Sequence, residues 1–334
     1  MGRHGPPRVA ASTVDRRQVS LALLFPGQGS QFPGMGRDLA AAYPEAARVF
    51  EQADDILGFS LSSLAWEGPE DQLVQTHNAQ PAILVHSLAA LAVLKPRLGP
   101  IACAAGHSLG EISAHAAAGT LRFDDAVYAV RRRGELMREA GRARPGSMAA
   151  VLGLGEPEVS EVCRAVSGKG LVCVPANFNA PTQIVVSGDA DAIDEVLARA
   201  REAGARRAVR LAVSGAFHSP LMAVAEEGLR KCFRSLSFGP SEFPVFSNVT
   251  AGAVRDPGLA RRLLVRQLTS PVLWSQSVRS MVESGVERFV EIGPGSVLCG
   301  LSRRNARGVK AASVGTASGV RKLFPDPVAA GSTP

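Results

Sequence analysis

Residues 100–111, PIACAAGHSLGE, set Ser108 midway between Gly106 and Gly110, after a short apolar run and before a segment of helical composition (109–118). A serine at the tip of a strand-to-helix turn needs glycine at plus and minus two, because a Cβ there crowds the neighbouring backbone. With those glycines the hydroxyl stands clear of the sheet. The spacing therefore asks for an α/β core with Ser108 as a candidate nucleophile. In a chain of 334 residues with 34 glycines, a chance glycine–serine turn is the competing reading.

The flanking sequence supports the α/β reading. Residues 21–25 form a short apolar strand that runs into PGQGSQ (26–31), a glycine-rich loop able to bring backbone N–H groups close to a ligand. It lacks the terminal Gly-Lys-Ser/Thr of a nucleotide-binding P-loop. Helical patterns cover 43–57 and 81–98. Between 147 and 213 the order changes to strand (147–154), helix (157–167), two strands (171–178 and 183–187), helix (191–203) and strand (207–213). A β-α-β-β-α-β run of this length predicts a ferredoxin-like unit inserted into a larger domain. Alternation then resumes with helix 220–236, strand 245–250, helices 257–267 and 275–283, strand 288–291 and a helix after Gly293-Pro294-Gly295. The predicted organisation is a disordered basic tail (1–20), a large α/β-hydrolase-like subdomain (21–145 and 214–312), a small ferredoxin-like subdomain (146–213) and a flexible C-terminal tail (313–334).

Composition narrows the function classes. At 46% hydrophobic and 20% charged residues, the chain reads as a soluble globular protein. Its longest apolar run (81–94) is broken by His86 and Ser87 and predicts a buried helix, so no membrane span is expected. Five cysteines (103, 163, 173, 232 and 299) are scattered and lack metal-ligand spacing, which argues against a disulfide framework or a metal site and for a cytoplasmic location. The net charge of +7 lies partly in the first seventeen residues, with four arginines against Asp15, and partly in 255–310, with ten basic against four acidic residues. With only 5% aromatic residues and no basic stripe interleaved with them, nucleic acid is not expected; an acidic protein is the better candidate for such a surface.

A catalytic serine needs a base, and six histidines are available. His4 lies in the tail, His86 and His115 fall in helical stretches, His107 sits in the elbow facing away from the serine, and His77 is assigned to a polar loop. His218, in SGAFHSP at the exit of the inserted unit, is the best candidate, because clefts form at such junctions. Arg133 adds a second clue. In a helix predicted to be capped by Asp124, it shares a mostly apolar stripe with Ala126, Val130, Met137 and Ala140. A buried guanidinium keeps its charge and needs an anion, either a fixed carboxylate or a ligand's; periodicity alone favours the internal salt bridge.

Taken together, LFPGQGSQ (24–31), GHSLGE (106–111), RRGELM (132–137), GAFHS (215–219), RQLTSPVLW (266–274) and EIGPG (291–295) resemble, in order, the malonyl-CoA:acyl-carrier-protein transacylase family. Acyltransferase domains of polyketide and fatty acid synthases belong to the same group. The resemblance covers about 21–304 and implies an active site in the cleft between the two subdomains. By that resemblance Ser108 is acylated and His218 is its base, oriented by a main-chain carbonyl near Gln267. It also implies that Arg133 holds the malonyl carboxylate, that the Gln28 and Leu109 N–H groups form the oxyanion hole, and that Phe217 crowds an α-methyl substituent. Malonyl-CoA and an acidic, phosphopantetheinylated acyl carrier protein are the implied partners. No metal or bound cofactor is implied, and a monomer is expected.

Overall fold

The computed structural model describes residues 20–167 and 170–325. Among the described residues are ten strands: β1 (Leu21–Phe25), β2 (Ile101–Gly106), β3 (Gly146–Leu152), β4 (Cys173–Ala180), β5 (Gln183–Asp189), β6 (Arg207–Arg210), β7 (Val245–Phe246), β8 (Ala253–Val254), β9 (Arg288–Ile292) and β10 (Lys310–Val314). They form two sheets. The larger has the order β10-β9-β1-β2-β7-β8 and is parallel except for the β7–β8 pair. The smaller is antiparallel, in the order β4-β5-β3-β6.

The central strands of the large sheet are covered on both faces, which is why β1 reads LALLF with every residue buried. One face packs on the helix Thr76–Leu94, which is apolar all round with a single internal proline, Pro81. By length and composition this helix could cross a membrane; here it lies mostly buried, between the helices Phe123–Ala143 and Pro44–Leu57 and the sheet. The opposite face is filled by Trp274, Val278, Met281 and Phe289.

The small sheet follows the two-residue period of a half-buried strand. Along β3, Ala149 and Val151 point into a separate core with Val159, Ile184, Ile193 and Val196. Met148 joins the main core from the other face, as does Val185 of β5. One side of this sheet therefore has its own helices, and the other closes onto the larger unit.

Several sequence expectations are corrected. Asp124 is not the helix cap: the helix begins at Phe123 with Arg122 in the capping position, and Asp124 and Asp125 occupy its first turn, where they favour the positive end of the dipole. His77 is not in a loop but in the first turn of the long helix, and it is buried. Strand 245–250 shortens to β7, because Ser247–Thr250 turns back to pair through β8. The segment after 313 is not a free tail. β10 completes the sheet edge, Thr316 caps the helix Ala317–Leu323 by accepting from the Gly319 N–H at 3.0 Å, and Ala317 N–H donates to Asp38 at 2.7 Å. The basic stretch 1–19 and residues 326–334 lie outside the described residues.

Candidate active site

The strand β2 ends at Gly106 and the helix Leu109–Ala117 follows with only His107 and Ser108 between them. A turn that short forces Ser108 to φ 53°, ψ −110°, a region that L-residues avoid. The glycines on either side are required by contact as well as by conformation. A Cβ on Gly106 would strike the Gly110 carbonyl, and one on Gly110 would strike the Phe25 carbonyl of the neighbouring strand. The strained backbone is held from behind: Ser108 N–H donates to Asn248 Oδ1 at 2.8 Å, and Asn248 Nδ2 donates to Gly106 O at 2.7 Å.

His218 comes to this serine from 110 residues away, with Nε2 2.8 Å from Ser108 Oγ. It too has positive φ, 57°. Its Nδ1 lies 2.9 Å from the main-chain oxygen of Gln267, which can only accept, so Nδ1 carries the proton and Nε2 is left as acceptor for the serine hydroxyl. Burial next to the Arg133 guanidinium pushes the imidazole down to about 3. At neutral pH it is an uncharged base.

Arg133 lies beside the same hydroxyl and is 1% exposed. Among the described residues Arg133 forms no salt bridge, contrary to what periodicity favoured. Nη1 donates to Gln80 Oε1 at 2.7 Å, and Nη2 donates to Gln267 Oε1 at 2.9 Å and Ser108 Oγ at 3.0 Å. All three acceptors are neutral. Burial lowers the guanidinium to about 10, while the field of Glu111 acts to raise it, so it stays protonated at neutral pH. A buried cation whose direct hydrogen-bond partners are all neutral is poised for an anionic ligand.

These groups open onto a cavity of about 550 Å³. Its walls include Gln28, Ser108, Leu109, Arg133, Phe217 and His218, and the small sheet contributes Met148, Asn177, Asn179 and Val185. Among the described residues, neither the Gln28 nor the Leu109 backbone N–H donates to a protein acceptor. The loop that carries Gln28 is pinned by Ser30 Oγ donating to Gly27 O at 2.7 Å, and the Gln28 side chain donates to Thr76 at 3.2 Å. Phe217 sits over Gly215, close enough that a Cβ there would lie 3.2 Å from its ring.

All the predicted site residues but Gln267 thus line one cavity, and Gln267 sits behind it, bonded to His218 and Arg133. Among the described residues, no other histidine hydrogen-bonds the serine hydroxyl: His77 and His115 are buried elsewhere, His86 is hydrogen-bonded to Gly315 O, and His107 donates from Nε2 to Asn179 Oδ1 at 2.8 Å. Four contributors had not been singled out from sequence: Gln80, Asn248, Glu111 and the side chain of Gln267. Glu111 is the last residue of the elbow motif, and its i+3 relation to Ser108 was a usable signal; the others have no local signature.

An activated serine between a parallel α/β core and a smaller sheet, with a buried cation at hand, defines the acyl transferases as a class, and the acyl transferase domain family matches residues 22–326. A malonyl CoA-acyl carrier protein transacylase of Bacillus subtilis is 45% identical over 294 residues, covering 88% of this chain and 93% of that protein. The Staphylococcus aureus (strain MRSA252) protein of the same name is 43% identical over 300 residues, covering 90% and 97%. Among solved structures, an acyl carrier protein S-malonyltransferase from Vibrio cholerae superposes with a TM-score of 0.88 at 39% identity, covering 91% of this chain and 99% of that one. A malonyl-transacylase solved in complex with its type II PKS acyl-carrier protein gives 0.87 at 39% identity, covering 90% and 97%. The chain belongs to the acyl transferase domain family and, within it, to the malonyl CoA-acyl carrier protein transacylases.

Proposed function

We propose that this protein moves a malonyl group from malonyl-CoA to the phosphopantetheine thiol of an acyl carrier protein by way of an ester on Ser108. The observation that carries the reading is the guanidinium of Arg133, buried with no ion pair among the described residues and 3.0 Å from the serine oxygen. A donor with a free carboxylate supplies the missing anion and, in the same act, brings its thioester carbonyl to Ser108.

The steps follow from the hydrogen bonds. Ser108 Oγ attacks the thioester carbon as its proton passes to His218 Nε2, and Nδ1–H, held on the Gln267 carbonyl, stabilises the imidazolium that forms. Negative charge gathers on the former carbonyl oxygen, where the N–H groups of Gln28 and Leu109 receive it; each such donor is worth roughly 10²–10³-fold. The carbon–sulfur bond breaks, and His218 returns the proton to the departing CoA sulfur. The carrier's pantetheine thiol then gives its proton to His218 and attacks the ester, and collapse releases Ser108 Oγ, which takes the proton back. Phe217 narrows the acyl end of the cavity, which disfavours an α-methyl branch.

The architecture is read in the same terms. The large parallel sheet with its helices (21–145 and 214–312) is α/β-hydrolase-like, the segment 146–213 is a ferredoxin-like subdomain, and the molecule acts as a monomer. Its five cysteines are unpaired and buried, which supports a reducing, cytoplasmic setting.

The test is incubation with malonyl-, methylmalonyl- or acetyl-CoA, with and without a phosphopantetheinylated carrier, read by intact mass. Malonyl is expected on Ser108 and then on the carrier, with methylmalonyl and acetyl well behind. Release of free malonate at the same rate with and without carrier would make the protein a hydrolase instead.

A further inference from the structure

We propose that Glu111 is a positioning residue for the carboxylate-binding half of the site, acting through the side chain of Gln267; this rests on the reading of Arg133 given above. Gln267 is fully buried in the short turn Gln267–Thr269, and its polar groups serve several neighbours. The backbone oxygen accepts from His218 Nδ1, and the side-chain Oε1 accepts from Arg133 Nη2 at 2.9 Å. Nε2 donates to Glu111 Oε2 at 2.6 Å and to Ser108 O at 3.0 Å.

A carboxamide is nearly symmetric in shape and can turn end for end at little steric cost. Turned over, Gln267 would present N–H groups to a guanidinium that has only N–H groups of its own. What forbids this is the acceptor at the other end. Glu111 Oε2 already accepts from the Asn248 backbone N–H, so it meets Gln267 as an acceptor and binds it only through Nε2, and Gln267 Oε1 must then face Arg133. Glu111 is itself fixed, because the Asn248 backbone N–H donates to the same Oε2 at 3.0 Å and Asn248 also staples Ser108 N–H. Glu111 is fully buried in the first turn of the elbow helix, and no step of the transfer uses it. It is also the carboxylate whose field acts on the buried guanidinium, so it supports Arg133 both by orientation and by charge.

The test compares wild type with Glu111→Leu, Glu111→Gln, Gln267→Leu and the double variant Glu111→Leu/Gln267→Leu. In each, active sites are counted by acyl titration, and kcat/KM per site is measured for malonyl-CoA and for acetyl-CoA. Glu111→Leu is expected to lower the malonyl value by about 10²-fold, the scale of a small misplacement of a clamp, with a much smaller change for acetyl-CoA, because His218 keeps its backbone carbonyl. Glu111→Gln is expected to recover at least about tenfold of that loss, since its amide oxygen can accept from the same two N–H groups. Adding Glu111→Leu to Gln267→Leu is expected to change the malonyl-to-acetyl ratio by less than about threefold, because the path is already cut.

A residue that only supports the fold would reduce the number of active sites and leave the ratio per site unchanged, and that result overturns the proposal. So does a further tenfold or larger fall in the double variant. Should Glu111→Leu alone fail to fold, the double variant, which removes both polar partners together, decides. A wild-type protein with no preference for malonyl over acetyl refutes the underlying reading of Arg133. A selective wild type whose ratio is untouched in Glu111→Leu refutes only the role of Glu111.

Discussion

The two sheets of this protein meet across one cavity but differ in what they tolerate. At the loop ends of the large parallel sheet, Ser108 and His218 hold positive φ, and Glu111, Arg133 and Glu291 are buried charged residues. Among the described residues, the small antiparallel sheet and its helices contain no non-glycine residue at positive φ and bury no Asp, Glu, Lys, Arg or His. Its buried polar residues, Ser147, Asn177, Asn179 and Ser187, are neutral. Strain and buried charge are costly, and they persist only where surrounding structure over-determines them. The larger sheet supplies that support through paired parallel strands and a layer of helices. The smaller one supplies a wall.

Removing the group that bears the strain gives the largest effect. Ser108→Ala is expected to form no acyl-enzyme with malonyl-CoA by intact-mass analysis, with the fold retained, since alanine relieves neither the turn nor its Asn248 staple. Acylation at another side chain would move the chemistry away from the elbow. Next in size is the buried cation. Arg133→Ala is expected to cost roughly 2–5 kcal/mol in kcat/KM for malonyl-CoA, the range for stripping one partner from a buried charge pair. Acetyl-CoA, which has no carboxylate to lose, should be affected far less. Equal losses for both donors would show that the guanidinium serves the serine and not the substrate.

Acid separates the two regions by stability. Burial holds His77 and His86 down to about 4 and both His115 and His218 down to about 3, against 6.5 when unfolded. A base depressed in the folded state makes unfolding take up protons, so stability is lost as pH falls below about 6.5. Going from pH 7.5 to 5.5 this costs on the order of 1 kcal/mol per histidine, several kcal/mol for the four. Glu111 opposes it. Burial raises its carboxyl to about 7, so its unfavourable ionisation is relieved over the same interval, by about 2 kcal/mol. A net loss of a few kcal/mol remains, to be read from urea midpoints at the two pH values. Residues 146–213 contain no histidine, so hydrogen exchange should show the loosening in the large-sheet helices first. Uniform or reversed loosening would break the contrast.

The same contrast explains what could be read from sequence. The elbow was legible because its requirement is local: glycines at plus and minus two answer contacts made within one turn. Arg133 was legible because a charge on an apolar helical stripe violates the period, although what it faces was not. Glu111, Asn248 and the Gln267 side chain form one network, yet the hydrogen bonds that join Glu111 to the others span 137 and 156 residues. No pattern within a window of the chain encodes such a meeting. The misplaced helix cap at Asp124 and the supposed tail after 313 have the opposite cause. There, local composition pointed one way and tertiary contacts, such as Ala317 N–H to Asp38, pointed another.

The smallest expected effect lies at the seam. Asn179 of β4 accepts from His107 Nε2 at 2.8 Å, while its main-chain oxygen accepts from Asn305 Nδ2 at 2.8 Å, so this one residue ties the wall to the elbow loop and to the helix Val297–Asn305. Asn179→Ala keeps the main-chain bond and removes the side-chain one. Burial lowers His107, which therefore stays neutral and loses one neutral hydrogen bond, worth about 1 kcal/mol. If the small sheet only closes the cavity, kcat/KM should fall by no more than about fivefold for malonyl- and acetyl-CoA alike, because neither Arg133 nor His218 has moved. A fall confined to malonyl-CoA would mean that the wall helps to place the substrate carboxylate, and the division of labour between the sheets would have to be redrawn.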